Sequence, residues 1–506
     1  MFGSLRILAT TSSVACGVNP IRMASGRYEE AVRLLNSLQS NAATIKKLRT
    51  QRDHLQTMNL PQCRKYLESM RISMKDVDNL NIIHVSGTKG KGSTCAYAEA
   101  ILRQQGLKTG LYTSPHLVHV RERIRINGEP VDEKTFAEEF FHVYDIMKKE
   151  HIENMPAYFK FLTLLAFRIF VKSKIEVVIL EVGIGGEYDC TNVIEHPIVC
   201  GVTTLDYDHI SILGSKLSEI AWHKSGIFKK DVPAVYSPTS SEAEEVLISR
   251  AASKGAPLTE APPIHVYSLA RSIILGISGQ HQYANVSLAL QLVHIWADKC
   301  HFSLPGVSVR DPSTGGFTVP SWMCDAIESC RWPGRSQVVR TDRNITYLLD
   351  GAHTPKSMEA CVRWAGKELE TLGKKDVKKI VLFQCTADRC PSTLIQYLKP
   401  LDISQIVSCP TQLFASVDRS ADSTNLNASR DEQMEKAKQC VASWKESIDH
   451  AVDEDQMQVF DCISSAYEFI EAQAASQEIC VVVTGSLHLV GGVLNLIQSQ
   501  HNPKVV

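Results

Sequence analysis

Along most of this chain, short continuous apolar runs alternate with longer stretches in which apolar residues recur every three or four positions. The short runs read as strands: Asn81 to Val85 (NIIHV), Thr109 to Thr113 (TGLYT), Glu176 to Val182 (EVVILEV) and Ile198 to Leu205 (IVCGVTTL). The VVIL within the third has no polar alternation, which predicts a central strand covered on both faces. The longer stretches predict helices over Tyr28 to Leu60, from Ser93 to a stop at Gly106, over Thr135 to Lys149 and over Ala157 to Val171. Ala31, Leu34, Leu35 and Leu38 give the first helix an apolar face, which is expected to pack against the sheet. In the second helix Ser93 and Thr94 read as N-terminal caps, and Ala96, Ala100 and Ile101 mark the buried face. Strands alternating with helices predict a doubly wound, mostly parallel sheet.

The pattern lapses between about Trp296 and Trp332, where prolines at 305, 312, 320 and 333 and the pair Gly315-Gly316 mark a boundary. A second α/β unit follows, with strands expected at Ile345 to Leu349, Ile380 to Gln384, Ile406 to Cys409 and Ile479 to Thr484. Ala415 to Asp455 is polar and reads as a long insertion with a surface helix, mobile near 415–430. The fold class is therefore α/β. A phosphate-loop-type, doubly wound domain over 28–330 precedes a smaller Rossmann-like α/β domain over 331–506.

Composition narrows the functional classes. A net charge of −1 calls for neither nucleic acid nor a membrane surface, and no apolar run is long enough for a membrane span. Fifteen cysteines without a CxxC pair or zinc spacing predict reduced thiols in the cytosol or mitochondrion. Residues 1–27 carry arginines at 6, 22 and 27, several Ser and Thr and no acid, the composition of a mitochondrial transit peptide or a disordered leader. Met23 is a reasonable second start for a cytoplasmic form. With no exposed apolar stripe in the pattern, a monomer is expected.

The densest chemistry lies between the first strand and its helix. Ser86 to Gly92 (SGTKGKG) holds three glycines and two lysines. A strand, a glycine loop and a helix start together make a phosphate site: glycines let N–H groups converge, and the helix N-terminus adds positive charge. The usual phosphate loop has Ser or Thr directly after its Gly-Lys pair, to meet Mg²⁺. Here Gly92 follows Lys91, and the hydroxyls come later, so a Mg²⁺ ligand from elsewhere is needed. Glu181, at the end of a buried strand and followed by Gly183, Gly185 and Gly186, suits that role. Asp189 and Asn192 in the same loop are candidate substrate contacts. Gly87, Ser114, Glu181 and Asp206 all fall at or just past strand ends and can share one crevice. For His209, in LDYDHISILG, a metal ligand, a general base and a plain helix-start residue compete. On composition alone Lys224 is an ordinary surface lysine. In the second unit, Arg335 of WPGR suits phosphate recognition, and Asp350 of DGAH suits a ribose hydroxyl or a catalytic base. If both meet one nucleotide with the glycine loop, the two domains must close on each other.

Taken together, Gly87-Thr88-Lys89-Gly90-Lys91-Gly92-Ser93, Thr113-Ser114-Pro115-His116, Glu181 to Ile194, LDYDH, HKSGI, WPGR and DGAH resemble the folylpolyglutamate synthases. These belong to the wider group of Mur-type ATP-dependent amide ligases, and the resemblance spans about Ile82 to Gly492. It implies ATP on Gly87 to Ser93 with Gln282, Arg335 and Asp350. Lys91 and His353 take catalytic positions, and Ser114 and Glu181 hold one Mg²⁺. His209 holds a second, with Lys224 if it is carbamylated, and a monovalent cation such as K⁺ is a further cofactor. His116, Arg121, Asp388 and Arg389 face the substrate. The implied reaction adds glutamate to the γ-carboxyl of a folate through an acyl phosphate, keeping folates in the cytosol and mitochondria for one-carbon metabolism. FQCTADRCP (383–391) departs from the FNxTGDR form of that family at Gln384 and Ala387, which affects the substrate wall. The alternatives are a dihydrofolate synthase adding the first glutamate, a phosphate-loop kinase, which would want a hydroxyl straight after Lys91, and a non-catalytic ATP-binding scaffold.

Overall fold

The apolar runs become the inner strands of two sheets. The computed structural model of the chain describes residues 20–39, 52–372, 377–385, 389–415, 422, 429–447, 456–500 and 504–505. In the first domain the strands are β1 (Ile83–Ser86), β2 (Thr109–Tyr112), β3 (Ile124–Ile126), β4 (Glu129–Pro130), β5 (Val177–Glu181), β6 (Val199–Val202), β7 (Ala234–Tyr236) and β8 (Leu258–Glu260). Their order is β4-β3-β2-β5-β1-β6-β7-β8, parallel except for β3 and β4 at one edge. A small parallel pair, β9 (Ser268–Leu269) and β10 (Thr318–Val319), completes the domain. All five residues of β5 are buried, as the unbroken apolar run requires.

Register explains why the chemistry gathers at one edge. Val85 of β1 pairs with Glu181 of β5, Ser86 with Val202 of β6, and Tyr112 of β2 with Leu180. The ends of four parallel strands therefore stop level, and the loops beyond them meet. The Pro20–Ser37, Glu133–Glu150 and Tyr158–Lys172 helices build one core on one face. Lys91–Gln104, Gln282–Lys299 and Ser321–Ser329 build the other.

The second domain has β11 (Gln337–Arg340), β12 (Ile345–Leu349), β13 (Lys378–Phe383), β14 (Gln405–Ser408), β15 (Met457–Val459), β16 (Ile479–Thr484) and β17 (Lys504–Val505), ordered β15-β14-β13-β16-β12-β11-β17. β11 runs antiparallel to both neighbours; the other pairs are parallel. Segments from each domain reach into the other. Leu117 and Val118, from the loop after β2, pack into the second domain's core. Asp422 reaches back to the first domain: its Oδ1 accepts from Tyr28 Oη at 2.7 Å and from the Val120 N–H at 2.8 Å.

Several local expectations change. The first helical stretch packs on the Glu133–Glu150 helix, with Tyr28 edge-on to Phe136, and shares one core with the strand residues Tyr112 and Leu180. That stretch begins at Pro20, inside the expected leader, while residues 1–19 lie outside the described residues. The helix after the glycine loop begins at Lys91, not at Ser93. Gly90, at φ +91°, makes the turn, so Ser93 and Thr94 sit inside the helix and do not cap it. VRERIRIN is not a plain strand: Val120–Arg123 is a 3-10 turn, and only Ile124–Ile126 pairs with β2. The helix in the polar insertion, Arg430–Ser447, is not merely on the surface, since Gln433, Ala437, Cys440 and Trp444 are buried. The rest of that insertion lies mostly outside the described residues. Apart from Cys300 and the exposed Cys390, the described cysteines are buried free thiols, as the composition suggested.

Candidate active site

A cleft of about 1010 Å³ opens at the strand ends and is lined from both domains. Its floor is the glycine loop. Thr88 and Lys89 both donate their N–H groups to Thr204 O at 3.1 Å, so these two amides hold the loop against β6. The first intrahelical bond runs from Thr94 N to Gly90 O, which leaves the amides of Gly90 to Ser93 without an i−4 partner, facing the cleft at a helix N-terminus. That is an anion cradle.

Two glycines make the loop's geometry. A Cβ at Gly90 would stand 2.1 Å from Asn285 Oδ1, at a φ that side chains avoid. A Cβ at Gly92 would stand 3.0 Å from Trp332 Nε1, so the segment joining the domains packs directly on the loop's helix. Gly90→Ala should destabilise the protein by ~1–3 kcal/mol through strain alone, seen as a lower denaturation midpoint, with a larger loss in nucleotide binding. A midpoint and affinity unchanged by the methyl group would contradict this placement of the loop.

Lys91 Nζ donates to Gly87 O at 3.1 Å and lies 4.0 Å from Glu181 Oε1. Glu181 is buried, and its Oε2 accepts from the Ser114 N–H at 3.0 Å. Burial raises its pKa above the usual carboxylate range, with Lys91 opposing. A carboxylate held in that state favours an incoming cation. Among the described residues no three His, Cys, Asp or Glu side chains converge as a metal cage. That fits Mg²⁺, which usually takes one or two carboxylates together with substrate phosphates. Glu181 with Ser114, facing the anion cradle, can hold one ion. A second ion is less well provided for: His209, in a left-handed turn at φ +52°, presents its ring to the cleft as a single ligand.

Lys224 is not a surface residue. It is buried, and its Nζ donates to Gly87 O at 2.7 Å. Burial, reinforced by Lys91, pushes its pKa well below the ordinary lysine value. A neutral amine is the form that reacts with carbon dioxide, but the unmodified side chain is a donor and offers no charge to a metal.

The second domain supplies the opposite wall. Asp350 Oδ2 accepts from Ser336 N at 2.8 Å, beside Arg335, whose pKa burial lowers, with Asp350 opposing. Gln282 is buried with its Oε1 accepting from Asn285 Nδ2 at 2.7 Å. Gln282, Arg335, Asp350 and His353 all line the cleft, as do Ser114, Glu181, His209 and Lys224. The structure therefore gathers most of the expected set.

It does not gather all of it. Arg121 does not line the cleft; its Nη1 bonds Val131 O at 3.4 Å. Two residues on, Arg123 lines the cleft instead, because the 3-10 turn breaks the alternation of the sequence. Its Nε donates to His116 Nδ1 at 2.9 Å, and its guanidinium lies 5.4 Å from the Tyr158 ring centre. His116 is buried, donates from Nε2 to Asp422 O at 3.0 Å, and is held neutral by burial and Arg123, with a pKa near 3. Asn192 braces the backbone at Glu187 and Gly226 rather than facing the cleft. Arg389 approaches Asp208, and Asp388 lies outside the described residues. Tyr158 and Phe159 on the walls, and the part played by Asp208, give no signal in the sequence, whereas Asn285, an amide of the 279–285 segment suited to reading a base or ribose, does line the cleft.

Comparison with known proteins bears on this geometry. Residues 336–496 match the family model described as "Dihydrofolate synthetase, C-terminal domain". A Caenorhabditis elegans protein named "Putative folylpolyglutamate synthase" is 73% identical over 496 residues, 97% of each chain. The Homo sapiens protein named "Folylpolyglutamate synthase, mitochondrial" is 38% identical, over 94% of this chain and 92% of its own. In fold, the chain is similar to Mycobacterium tuberculosis folylpolyglutamate synthase complexed with ADP and AMPPCP, with a TM-score of 0.66 and 22% identity over 90% of this chain and 99% of the other.

Proposed function

The chain belongs to the folylpolyglutamate synthase family of ATP-dependent ligases, and from that premise we propose that it joins L-glutamate to the γ-carboxyl of reduced folates and folylpolyglutamates. The observation that carries this reading is a single cleft. In it the anion cradle of Gly90 to Ser93, Lys91 and Glu181 face Arg335, Asp350 and His353 of the second domain.

In this reading the cradle and Lys91 bind the ATP phosphates, while Gln282, Arg335 and Asp350 take the rest of the nucleotide. The folate lies along His116, Arg123 and Tyr158, with its γ-carboxyl toward the γ-phosphate. A carboxylate oxygen attacks that phosphorus, ADP leaves, and an acyl phosphate forms. The neutral amine of glutamate attacks the acyl carbon, and phosphate departs with the oxygen it gained from the carboxylate. The chemistry asks mainly for electrostatics, since four or more anionic groups meet at once. Mg²⁺ held by Glu181 and Ser114 would neutralise phosphate charge and lower the barrier to transfer. His353 hydrogen-bonds the backbone through Nδ1 and meets Lys89 through Nε2, so it orients that cation. The cofactor set proposed is ATP, two Mg²⁺ and a monovalent cation such as K⁺, with Lys224 joining the second Mg²⁺ site only after carbamylation.

A domain division at about 330 is supported by the first core, whose last fully buried member is Cys330. The leader and the mitochondrial name of the human relative support a mitochondrial form, in the matrix or associated with the inner membrane. A start at Met23 would give the cytoplasmic one. Among the described residues no helix is long and apolar enough to cross a membrane.

The test is mass spectrometry of the pteridine product from the full chain with MgATP, L-glutamate and either tetrahydrofolate or dihydropteroate. Successive glutamyl additions to tetrahydrofolate are expected. Product from dihydropteroate alone would move the reading to the synthase of the first glutamate, and ADP release with neither product would end the folate reading.

A further inference from the structure

Between β6 and the short Ile210–Leu213 helix, the Asp208 carboxylate gathers groups from both domains. Its Oδ2 accepts from Lys89 Nζ at 2.9 Å and lies 3.1 Å from His353 Nε2. Its Oδ1 accepts from the His209 N–H at 3.0 Å and faces Arg389 Nη2 at 3.5 Å. Lys89 Nζ also lies 2.9 Å from His353 Nε2, which closes a triangle. Protonation follows from geometry. His353 Nδ1 lies 2.8 Å from Gly351 O and must carry a proton there, so Nε2 of the neutral ring accepts from Lys89. One ammonium thus bonds both the carboxylate of its own domain and the imidazole of the other.

Two features separate this from an ordinary surface pair. The Asp208 side chain is only 12% exposed and the Lys89 side chain 21%, so solvent screens them little. The cluster is also doubled, because neighbouring Asp206 meets Thr354 Oγ1 at 3.3 Å and Lys356 Nζ at 3.9 Å. Two aspartates of one loop therefore hold the start of the second domain's Pro355–Leu372 helix. Without the Asp208 charge, the Lys89 ammonium would lose the carboxylate it bonds at 2.9 Å at the domain gap.

The geometry points to Asp208 as a positioning residue that clamps His353 and Arg389 of the second domain onto Lys89 of the glycine loop, fixing the distance between the cleft walls across which phosphoryl transfer occurs. Asp208 does not itself meet the substrate; it acts through Lys89 and His353. The inference rests on the ligase reading for its turnover arm only, because domain separation can be measured without turnover.

The experiment compares the full-length protein with Asp208→Asn, which keeps the shape and loses the charge, and with Asp208→Glu. Steady-state ligation gives kcat and KM for MgATP, and small-angle scattering with MgADP gives the radius of gyration. Asp208→Asn should lower kcat by ~100-fold, the scale of a misplacement of about 1 Å. It should move KM for ATP by less than about threefold and enlarge the particle. Asp208→Glu should recover part of both. Adding His353→Ala to Asp208→Asn should cost little more, because the two act as one unit. If Asp208→Asn does not fold, Lys89→Met and His353→Gln approach the same cluster from its other members, and each alone should match the pair. A wild-type kcat would overturn the proposal. So would a fall in kcat with an unchanged radius and fully additive double variants. An enlarged particle in a protein that never ligates would keep the clamp and end the ligase reading instead.

Discussion

Lys91→Ala is expected to lower ligation turnover by about 10²–10³-fold, the scale of losing one preorganised charge partner in a transition state. The ammonium lies 3.1 Å from Gly87 O and 4.0 Å from Glu181, and Lys91 lines the cleft. Bound phosphates would draw it away from Gly87 O, and that movement is cheap because a lysine stem is flexible. Lys91 is N1 of its helix with its side chain in the cleft, so alanine, a better helix former, leaves the fold intact. The loss should fall chiefly on kcat, measured as ADP release coupled to glutamyl addition, with an unchanged circular dichroism spectrum. Near-normal ligation by Lys91→Ala would show that the cradle is assigned to the wrong loop.

The second large effect belongs to Glu181→Gln. Glutamine keeps the shape and the acceptor for the Ser114 N–H but removes the charge. The Mg²⁺ concentration for half-maximal activity should rise by at least ~10–100-fold, and kcat should fall with it. Stability should move the other way. Burial raises the folded pKa of Glu181 above its unfolded value. The protonated form is thus favoured in the folded state, and ionisation costs stability as pH rises through the folded pKa. At neutral pH, with no metal present, the amide should therefore raise the thermal midpoint or leave it unchanged. Saturating MgATP should reverse the order, since it stabilises the wild type more. If Glu181→Gln instead unfolds readily in the absence of metal, the carboxylate is a structural group and not a metal ligand.

Much of the fold is legible from local pattern. Ile345 to Leu349 and Ile479 to Thr484 are strands with the bounds read from the sequence. Both are fully buried central strands, parallel to each other, for which an apolar run is a direct signal. The edge strands β15 and β17 escape notice because they are only three and two residues long, and β15 is only partly buried beside a polar segment. The glycine loop is legible because its function demands residues with special backbone freedom. The start of its helix is not, because φ at Gly90 and the packing of Asn285 decide it, and Asn285 lies almost 200 positions away. Arg121 and Arg123 are equivalent by composition, and only the 3-10 turn chooses between them. Lys224 looks exposed in sequence and is buried because its short helix ends beneath β1, where Ser86 Oγ bonds Lys224 O at 2.8 Å. Asp208 gives no local signal at all, since its partners come from Lys89, His353 and Arg389. Sites assembled at strand ends share this property: the backbone pattern fixes the edge, and tertiary structure decides which side chains arrive there.

The most direct test of the account follows oxygen. Tetrahydrofolate labelled with ¹⁸O in its γ-carboxyl, turned over with MgATP and L-glutamate, transfers one labelled oxygen to inorganic phosphate if the carboxylate attacks the γ-phosphorus. One ¹⁸O is expected in the phosphate released by the first addition, with the other retained in the new amide; later additions activate the unlabelled γ-carboxyl of the added glutamate and release unlabelled phosphate. Unlabelled phosphate from a turnover limited to the first addition would mean that ATP is cleaved without activating the carboxyl, which contradicts the central claim.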